Sequence, residues 1–266
     1  MADKKIIMCP PRYYEIEYSI NPWMNINTKI NSKKANEQYT SLKEAFIKHG
    51  AEVIELTPEK GLPDMVYTSN AGYIEGDIFV KANFKAQQRK READTAEKFF
   101  IEKKYQVFDL PENIIFEGEG DVIRSKSKYF LGYGQRSDLM AKDYLEDIIG
   151  KGFIELELVN PYFYHLDTCF GPLSDDIVVI NESAFTEDSL VRIYDKFKHV
   201  ITTNETDNSV LACNLVVIGN NVVIGKGISE ELRNSIKRYK YNVIETDMSE
   251  FLKGGGSVKC LALEIF

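Results

Sequence analysis

The chain has 266 residues, 44% hydrophobic and 28% charged, the balance of an ordinary globular protein with enough length for one large core or two modest ones. A net charge of −8 argues against a polyanionic partner, whether nucleic acid or an acidic membrane, and admits a cationic one. The opening MADKKIIM holds too short an apolar run for a signal peptide, no stretch approaches the ~20 apolar residues of a membrane span, and four cysteines (Cys9, Cys169, Cys213, Cys260) show neither a C-x-x-C pair nor metal-type spacing, so a cytoplasmic protein with reduced thiols and no metal is expected.

In chain order, SLKEAFIKHGAEV (41–53) is a helix-like run that ends near His49, and VIELT (53–57) reads as a strand. SNAGYIEGDIFV (69–80) reads as a hairpin turning at EGD, AQQRKREADTAEKFFIEKK (86–104) as a helix, and QVFDL (106–110) as a strand. The same order returns three more times. GEGDVIRSKSKYFLG (118–132) is followed by SDLMAKDYLEDIIG (137–150) and IELELV (154–159). HLDTCFGPLSDDIVVI (165–180) is followed by TEDSLVRIYDKFK (186–198) and HVITT (199–203), and LACNLVVIGNNVVI (211–224) by SEELRNSIKRY (229–239) and NVIETD (242–247). SVKCLALEIF (257–266) opens a fifth segment on the same hairpin plan.

The polar residues at the hairpin starts, Asn70, Glu119, Asp167, Cys213 and Lys259, recur every ~46–49 residues. With no Pro/Gly/Ser linker between them, the chain reads as one α/β domain, 1–266, of about five hairpin–helix–strand units. If the units close in a ring, equivalent strand ends converge. Asn70, the run Glu117 to Asp121, His165, Asp167 and Cys260 would then share one central cleft. The competing reading is a generic α/β protein whose spacing is accidental.

Cys260 follows GGGSVK, a glycine run suited to close approach of backbone to a ligand or to positive φ. It is placed like a nucleophile, although a buried structural thiol would look the same. A thiolate needs an acid–base partner, and among three histidines only His165 lies at a matching register. A packing role in the core is its alternative. Glu117 in FEGEGD is placed to orient the imidazole, or is simply a solvated turn. Asp64, Asp121 and Asp167 remain for binding. Several acids converging with few cations favour a positively charged ligand, and a planar guanidinium with five donors suits them best. Arg89 and Arg136 are then free to hold a carboxylate at the ligand's other end.

MCPPRYYEIEYSINPWM, GLPDMVYTSNAG, FEGEGD, FYHLDTCFGPL and KGGGSVKCL together resemble the guanidino-group-modifying superfamily of arginine deiminases, dimethylarginine dimethylaminohydrolases and amidinotransferases. Within it the chain is most similar to the arginine dihydrolases, and the likeness runs through nearly its whole length. The resemblance implies a five-bladed pseudo-symmetric α/β propeller (a pentein) built from ββαβ-type repeats. It implies Cys260 as nucleophile, His165 as general acid–base and Glu117 as its acidic partner. It matches Asp167 and Asn70 to guanidine-contacting positions, Asn21, Arg89 and Arg136 to positions that hold the amino-acid end, and Asp64 and Asp121 to further binding positions. Deiminases usually carry Asp where this chain has Asn70. An amide can both donate and accept, so it can bind a guanidinium and then a neutral ureido group. The expected reaction is hydrolysis of L-arginine to L-ornithine, two ammonia and carbon dioxide, with no cofactor. The alternatives are arginine deiminase, dimethylarginine hydrolase or citrulline hydrolase on the same centre, or a non-catalytic propeller-fold binding module. The partner expected is a small molecule, with neither nucleic acid nor membrane; a homo-oligomer is allowed.

Overall fold

A computed structural model describes residues 4–266; residues 1–3, part of the opening stretch read above, lie outside the described residues. Strand β1 (Lys4–Met8), helix α1 (Ser32–Lys48) and β2 (Ala51–Glu55) come first. β3 (Gly72–Glu75) and β4 (Ile78–Lys81) form a hairpin, and α2 (Lys90–Glu102) leads to β5 (Gln106–Phe108). The plan repeats in β6 (Val122–Arg124), β7 (Tyr129–Tyr133), α3 (Ala141–Ile149) and β8 (Phe153–Glu157). It repeats again in β9 (Phe170–Pro172), β10 (Ile177–Ile180), α4 (Glu187–Lys196) and β11 (His199–Thr202). A short α5 (Glu205–Ser209) precedes β12 (Val216–Ile218), β13 (Asn221–Gly225), α6 (Glu230–Arg238) and β14 (Asn242–Thr246); α7 (Ser249–Leu252) and β15 (Leu263–Ile265) end the chain.

The described strands form five three-stranded sheets. In four of them a sequential antiparallel pair is joined by a parallel third strand that returns through a helix, as parallel pairing requires a long crossover. The fifth departs from the sequence reading. SVKCLALEIF is not a hairpin; its one strand, β15, pairs antiparallel with β1, with Ile7 opposite Leu263, and β1 pairs in parallel with β2. The antiparallel partner of this strand is therefore a segment remote in sequence, not a neighbouring run.

Local chemistry explains the elements. The β3–β4 turn uses Gly76 at φ +60°, where a side chain is disfavoured. Asn31, Thr186 and Ser229 cap α1, α4 and α6 by accepting the backbone N–H three residues on. Each long helix sends an apolar stripe onto sheet residues: Phe100 of α2 stacks on Phe79 of β4 at 3.9 Å between ring centres, Leu145 of α3 is buried with Leu131 and Phe153, and Ile193 of α4 with Val178 and Ile180. Each such fully buried side chain contributes roughly 1.5–3 kcal/mol. Boundaries differ by a few residues from the sequence reading: α2 begins only after a 3-10 turn at Gln87–Arg89, and α3 begins at Ala141 rather than Ser137. Among the described residues no helix is long and apolar enough to cross a membrane.

What positions the site is the segment just ahead of each sheet's first strand. Three are 3-10 turns, Thr68–Ala71, Gly118–Gly120 and Leu166–Thr168, and two are turns at 210–213 and 258–261. They hold one another. Leu166 N–H donates to Asp121, Asn214 Nδ2 to the Asp167 carbonyl, Cys260 N–H to Asn214 and Ser69 N–H to the Cys260 carbonyl, all at 3.1 Å.

Candidate active site

Glu117 is fully buried and its oxygens are all engaged. Oε1 accepts the Lys85 backbone N–H at 3.0 Å; Oε2 lies 2.8 Å from His165 Nε2 and accepts Arg136 Nη1 at 2.8 Å. Burial works to raise this carboxyl, but Arg136 and the imidazole outweigh it and hold it well below the ordinary carboxylate range. Nε2 thus faces the carboxylate, and Nδ1 faces Gly120. A Cβ on Gly120 would lie 3.1 Å from Nδ1 and 2.4 Å from Asn70 Nδ2, so only glycine lets these two side chains meet at that turn.

Cys260, 2% exposed, has its Sγ 3.3 Å from Asp167 Oδ2 and 3.1 Å from Asn214 Nδ2. Burial and the Asp167 carboxylate push the thiol well above its ordinary pKa, while the donors of Ser257 and Asn214 act the other way. Burial likewise lifts Asp167 to about 6, against the pull of His165 and Lys259. Its Oδ2 also accepts the Ser69 hydroxyl at 3.5 Å; its Oδ1 has no partner.

Asn70 Oδ1 accepts Arg89 Nη1 at 2.8 Å and its Nδ2 donates to Ser69 Oγ at 3.3 Å. Arg89 sends Nε and Nη2 to Glu92 Oε2 at 3.0 and 2.8 Å and lies 4.0 Å from Asp64 Oδ2, which accepts the Tyr18 hydroxyl at 2.9 Å. Burial raises both Asp64 and Glu92, and each keeps one oxygen without a partner. Asp64 Oδ1, Glu92 Oε1 and Asp167 Oδ1 are therefore buried acceptors with unused capacity, the arrangement a many-donor cation completes.

The structure thus gathers Cys260, His165, Glu117, Asp167 and Asn70, and puts Asp64 with Arg89. It gives several others partners within the protein. Arg89 and Arg136 are both already paired with protein groups. Arg89 is committed to Glu92 and Asn70; Arg136 bridges Glu117 and the Ile20 carbonyl (2.7 Å) under the Tyr164 ring. Both oxygens of Asp121 are occupied by the N–H groups of Ser137 and Leu166, which makes it a brace between turns. Asn21 holds the Gly254 carbonyl and accepts the N–H groups of Trp23 and Met24. The glycine run serves the protein's own packing: a Cβ on Gly254 or Gly256 would fall 2.3 Å from Tyr67, and Gly255 adopts φ +87° beside Asn21. His49 and His199 lie outside the cluster, one as the C-cap of α1 and one in β11.

Sequence reasoning missed Asn214, Glu92, Ser69 and Tyr164. Cys213 sits at the repeat position and is a buried core residue; its neighbour Asn214 makes the contact. Cavities border the cluster among the described residues, and one of about 550 Å³ is lined by Lys259, Glu119 and Glu264, behind Cys260. A smaller one, about 330 Å³, is lined by Asn21, Lys85, Arg136 and Tyr164. The smaller is the better approach to the chemistry, because its wall carries the arginine that grips Glu117 and the tyrosine beside His165.

The family described as N,N dimethylarginine dimethylhydrolase, eukaryotic, matches residues 15–266. The bifunctional arginine dihydrolase/ornithine cyclodeaminase AgrE of Nostoc sp. is 36% identical over 98% of this chain, which spans 38% of that protein's length. The N(G),N(G)-dimethylarginine dimethylaminohydrolase of Mycobacterium tuberculosis is 33% identical, covering 98% of this chain and 86% of the relative. Among solved structures, the N-terminal domain of ArgZ covalently bound to a reaction intermediate superimposes with a TM-score of 0.96 at 34% identity, over 99% of this chain and 98% of that one. A dimethylarginine dimethylaminohydrolase at 21% identity shares the fold with a TM-score of 0.84.

Proposed function

The chain belongs to the N,N-dimethylarginine dimethylhydrolase family, and from that membership we propose that it is a hydrolase converting L-arginine to L-ornithine, two ammonia and carbon dioxide on Cys260. We read residues 1–266 as one catalytic domain, with the five sheets as the blades of an α/β propeller around the buried cluster. The turn-to-turn hydrogen bonds, each from one unit to the next, support that ring. The resemblance to proteins named arginine dihydrolase supports the substrate.

The observation that carries the reading is the 3.3 Å contact between the Cys260 sulfur and a buried carboxylate with an unused oxygen. Without a ligand, Asp167 keeps the thiol protonated. A guanidinium pairing with Asp167 cancels that charge and so favours the thiolate. With Nε2 held by Glu117, His165 takes the thiol proton through Nδ1. The thiolate attacks the guanidinium carbon, and His165 returns the proton to the departing ammonia. Water, deprotonated by His165, adds to the covalent adduct; the C–S bond breaks and leaves a ureido group. Cys260 attacks again, a second ammonia leaves, and water cleaves the thiocarbamate. The resulting carbamic acid loses carbon dioxide to give ornithine. Glu117 stabilises the imidazolium that forms in each half-reaction. Arg136 holds Glu117, and Asn70 supplies an amide N–H for the ureido oxygen that a carboxylate would repel.

The test is one incubation with arginine. Two ammonia per ornithine supports the proposal, whereas citrulline as sole product makes the protein a deiminase. The identity to the mycobacterial relative favours a second reading, hydrolysis of dimethylarginine, which would show as dimethylamine release. Asn70→Asp should shift product toward citrulline; an unchanged ratio removes Asn70 from the argument.

A further inference from the structure

We propose that Asn214 is the positioning residue of the nucleophile, an amide clamp that orients the Cys260 sulfur and stabilises it as a thiolate. Asn214 is fully buried and its amide is used completely. Oδ1 accepts the Cys260 backbone N–H at 3.1 Å; Nδ2 donates one hydrogen to the Asp167 carbonyl and one to Cys260 Sγ, each at 3.1 Å. A thiol sulfur is a weak acceptor, whereas a thiolate accepts strongly. The Nδ2–Sγ contact therefore contributes most once the proton has left. The sulfur lies between opposed partners: Asp167 Oδ2, an acceptor that favours S–H, and Asn214 Nδ2, a donor that favours S⁻. Once a cationic ligand engages Asp167, Asn214 remains as the donor to the sulfur.

Register supports the assignment. Asn214 stands two residues before β12, as Asn70 stands two before β3. The same backbone position is an amide in two units and takes a different task in each: Asn70 meets Arg89, Asn214 meets the nucleophile.

The proposal rests on Cys260 being the nucleophile, but its test does not require turnover. Asn214→Asp keeps the size and the acceptor for Cys260 N–H and replaces the donor with an anionic oxygen. Iodoacetamide labelling of Cys260 in the ligand-free full chain is followed by peptide mass between pH 6 and 10, with a thermal melt to confirm folding. We expect labelling of the variant to slow at least tenfold near pH 8, with its whole labelling curve displaced to higher pH across that range. Arginine turnover should lose about 10- to 100-fold in kcat, the scale of one hydrogen bond to a charged group, with KM within about threefold. A labelling curve that superimposes on the wild type overturns the proposal and leaves Asn214 as a tie between turns. Should Asn214→Asp fail to fold, Asn214→Ser removes the donor without adding charge, and the same upward shift is required of it. A wild-type protein that leaves arginine untouched defeats the functional reading while the labelling comparison still decides this one.

Discussion

Cys260 and Lys259 are neighbours in the chain and both are buried, yet they belong to opposite kinds of polar cluster. Behind Cys260, Lys259 pairs with Glu119 and Glu264, and Glu264 pairs in turn with Lys4, so two cations face two carboxylates. Around the sulfur, Asp167 has no basic side chain within 4.0 Å among the described residues, and its Oδ1 has no partner at all. Burial is equal and each cluster keeps one carboxylate oxygen without a partner, Glu119 Oε1 and Asp167 Oδ1; what differs is whether each carboxylate is closed by a cation of the protein's own. A set closed in that way has less to gain from a cationic ligand. An open set costs stability until a ligand completes it.

The strongest way to break the contrast is to remove the sulfur. Cys260→Ser should lower ornithine formation by about 10⁴-fold or more, measured with arginine in excess, while the melt stays near wild type; residual activity of a few per cent would move the chemistry elsewhere. Lys259→Met should do the reverse. Leaving Glu119 buried without its cation should cost roughly 3–5 kcal/mol of stability in urea unfolding; a variant as stable as the wild type would mean that the rear cluster is not closed. Asp167→Asn should abolish turnover yet stabilise the ligand-free protein by about 1–3 kcal/mol, because it removes a buried charge at constant shape. Unchanged or lower stability would place Asp167 among the closed charges.

The smallest expected effect is with pH. Asp167 moves from its ordinary 3.8 up to about 6 in the folded protein, so the folded state holds its proton more tightly than the unfolded state does. Its contribution to stability is greatest near pH 4 and declines as pH rises to about 6. Glu117, held low, contributes in the opposite sense, but loses that only below the usual carboxylate range. Asp167 alone should therefore make the ligand-free protein about 1 kcal/mol more stable at pH 5 than at pH 7.5; Glu92 and Glu119, each lifted to about 7 by burial, add in the same direction, and Asp167→Asn should shrink the difference by its own share. Greater stability at pH 7.5 would contradict it.

The repeats were legible because turn chemistry and apolar spacing are local: EGD, SKSK, SDD and GNN each sit between two short apolar runs, and the helices announce themselves by apolar spacing. That Cys260, His165 and Glu117 fall in one cluster of linked turns was legible through register, while their catalytic roles belong to the proposal. What was hidden depends on partners remote in sequence. Nothing near Arg136 signals that it will bond the Ile20 carbonyl, and nothing near Arg89 tells Glu92 from a solvent-facing acid. Asn214 was passed over because the period landed on Cys213, and a one-residue offset inside a turn decides which side chain faces the sulfur.

The pairing of β15 with β1 has a consequence in time. β1 is synthesised long before β15, the strand it pairs with, and Cys260 sits three residues ahead of β15. Four sheets can form while synthesis continues, but the fifth is incomplete until β15 is made. On the chemistry proposed for Cys260, a polypeptide interrupted before β15 would be silent, and the β1–β15 pairing is the step that arms it.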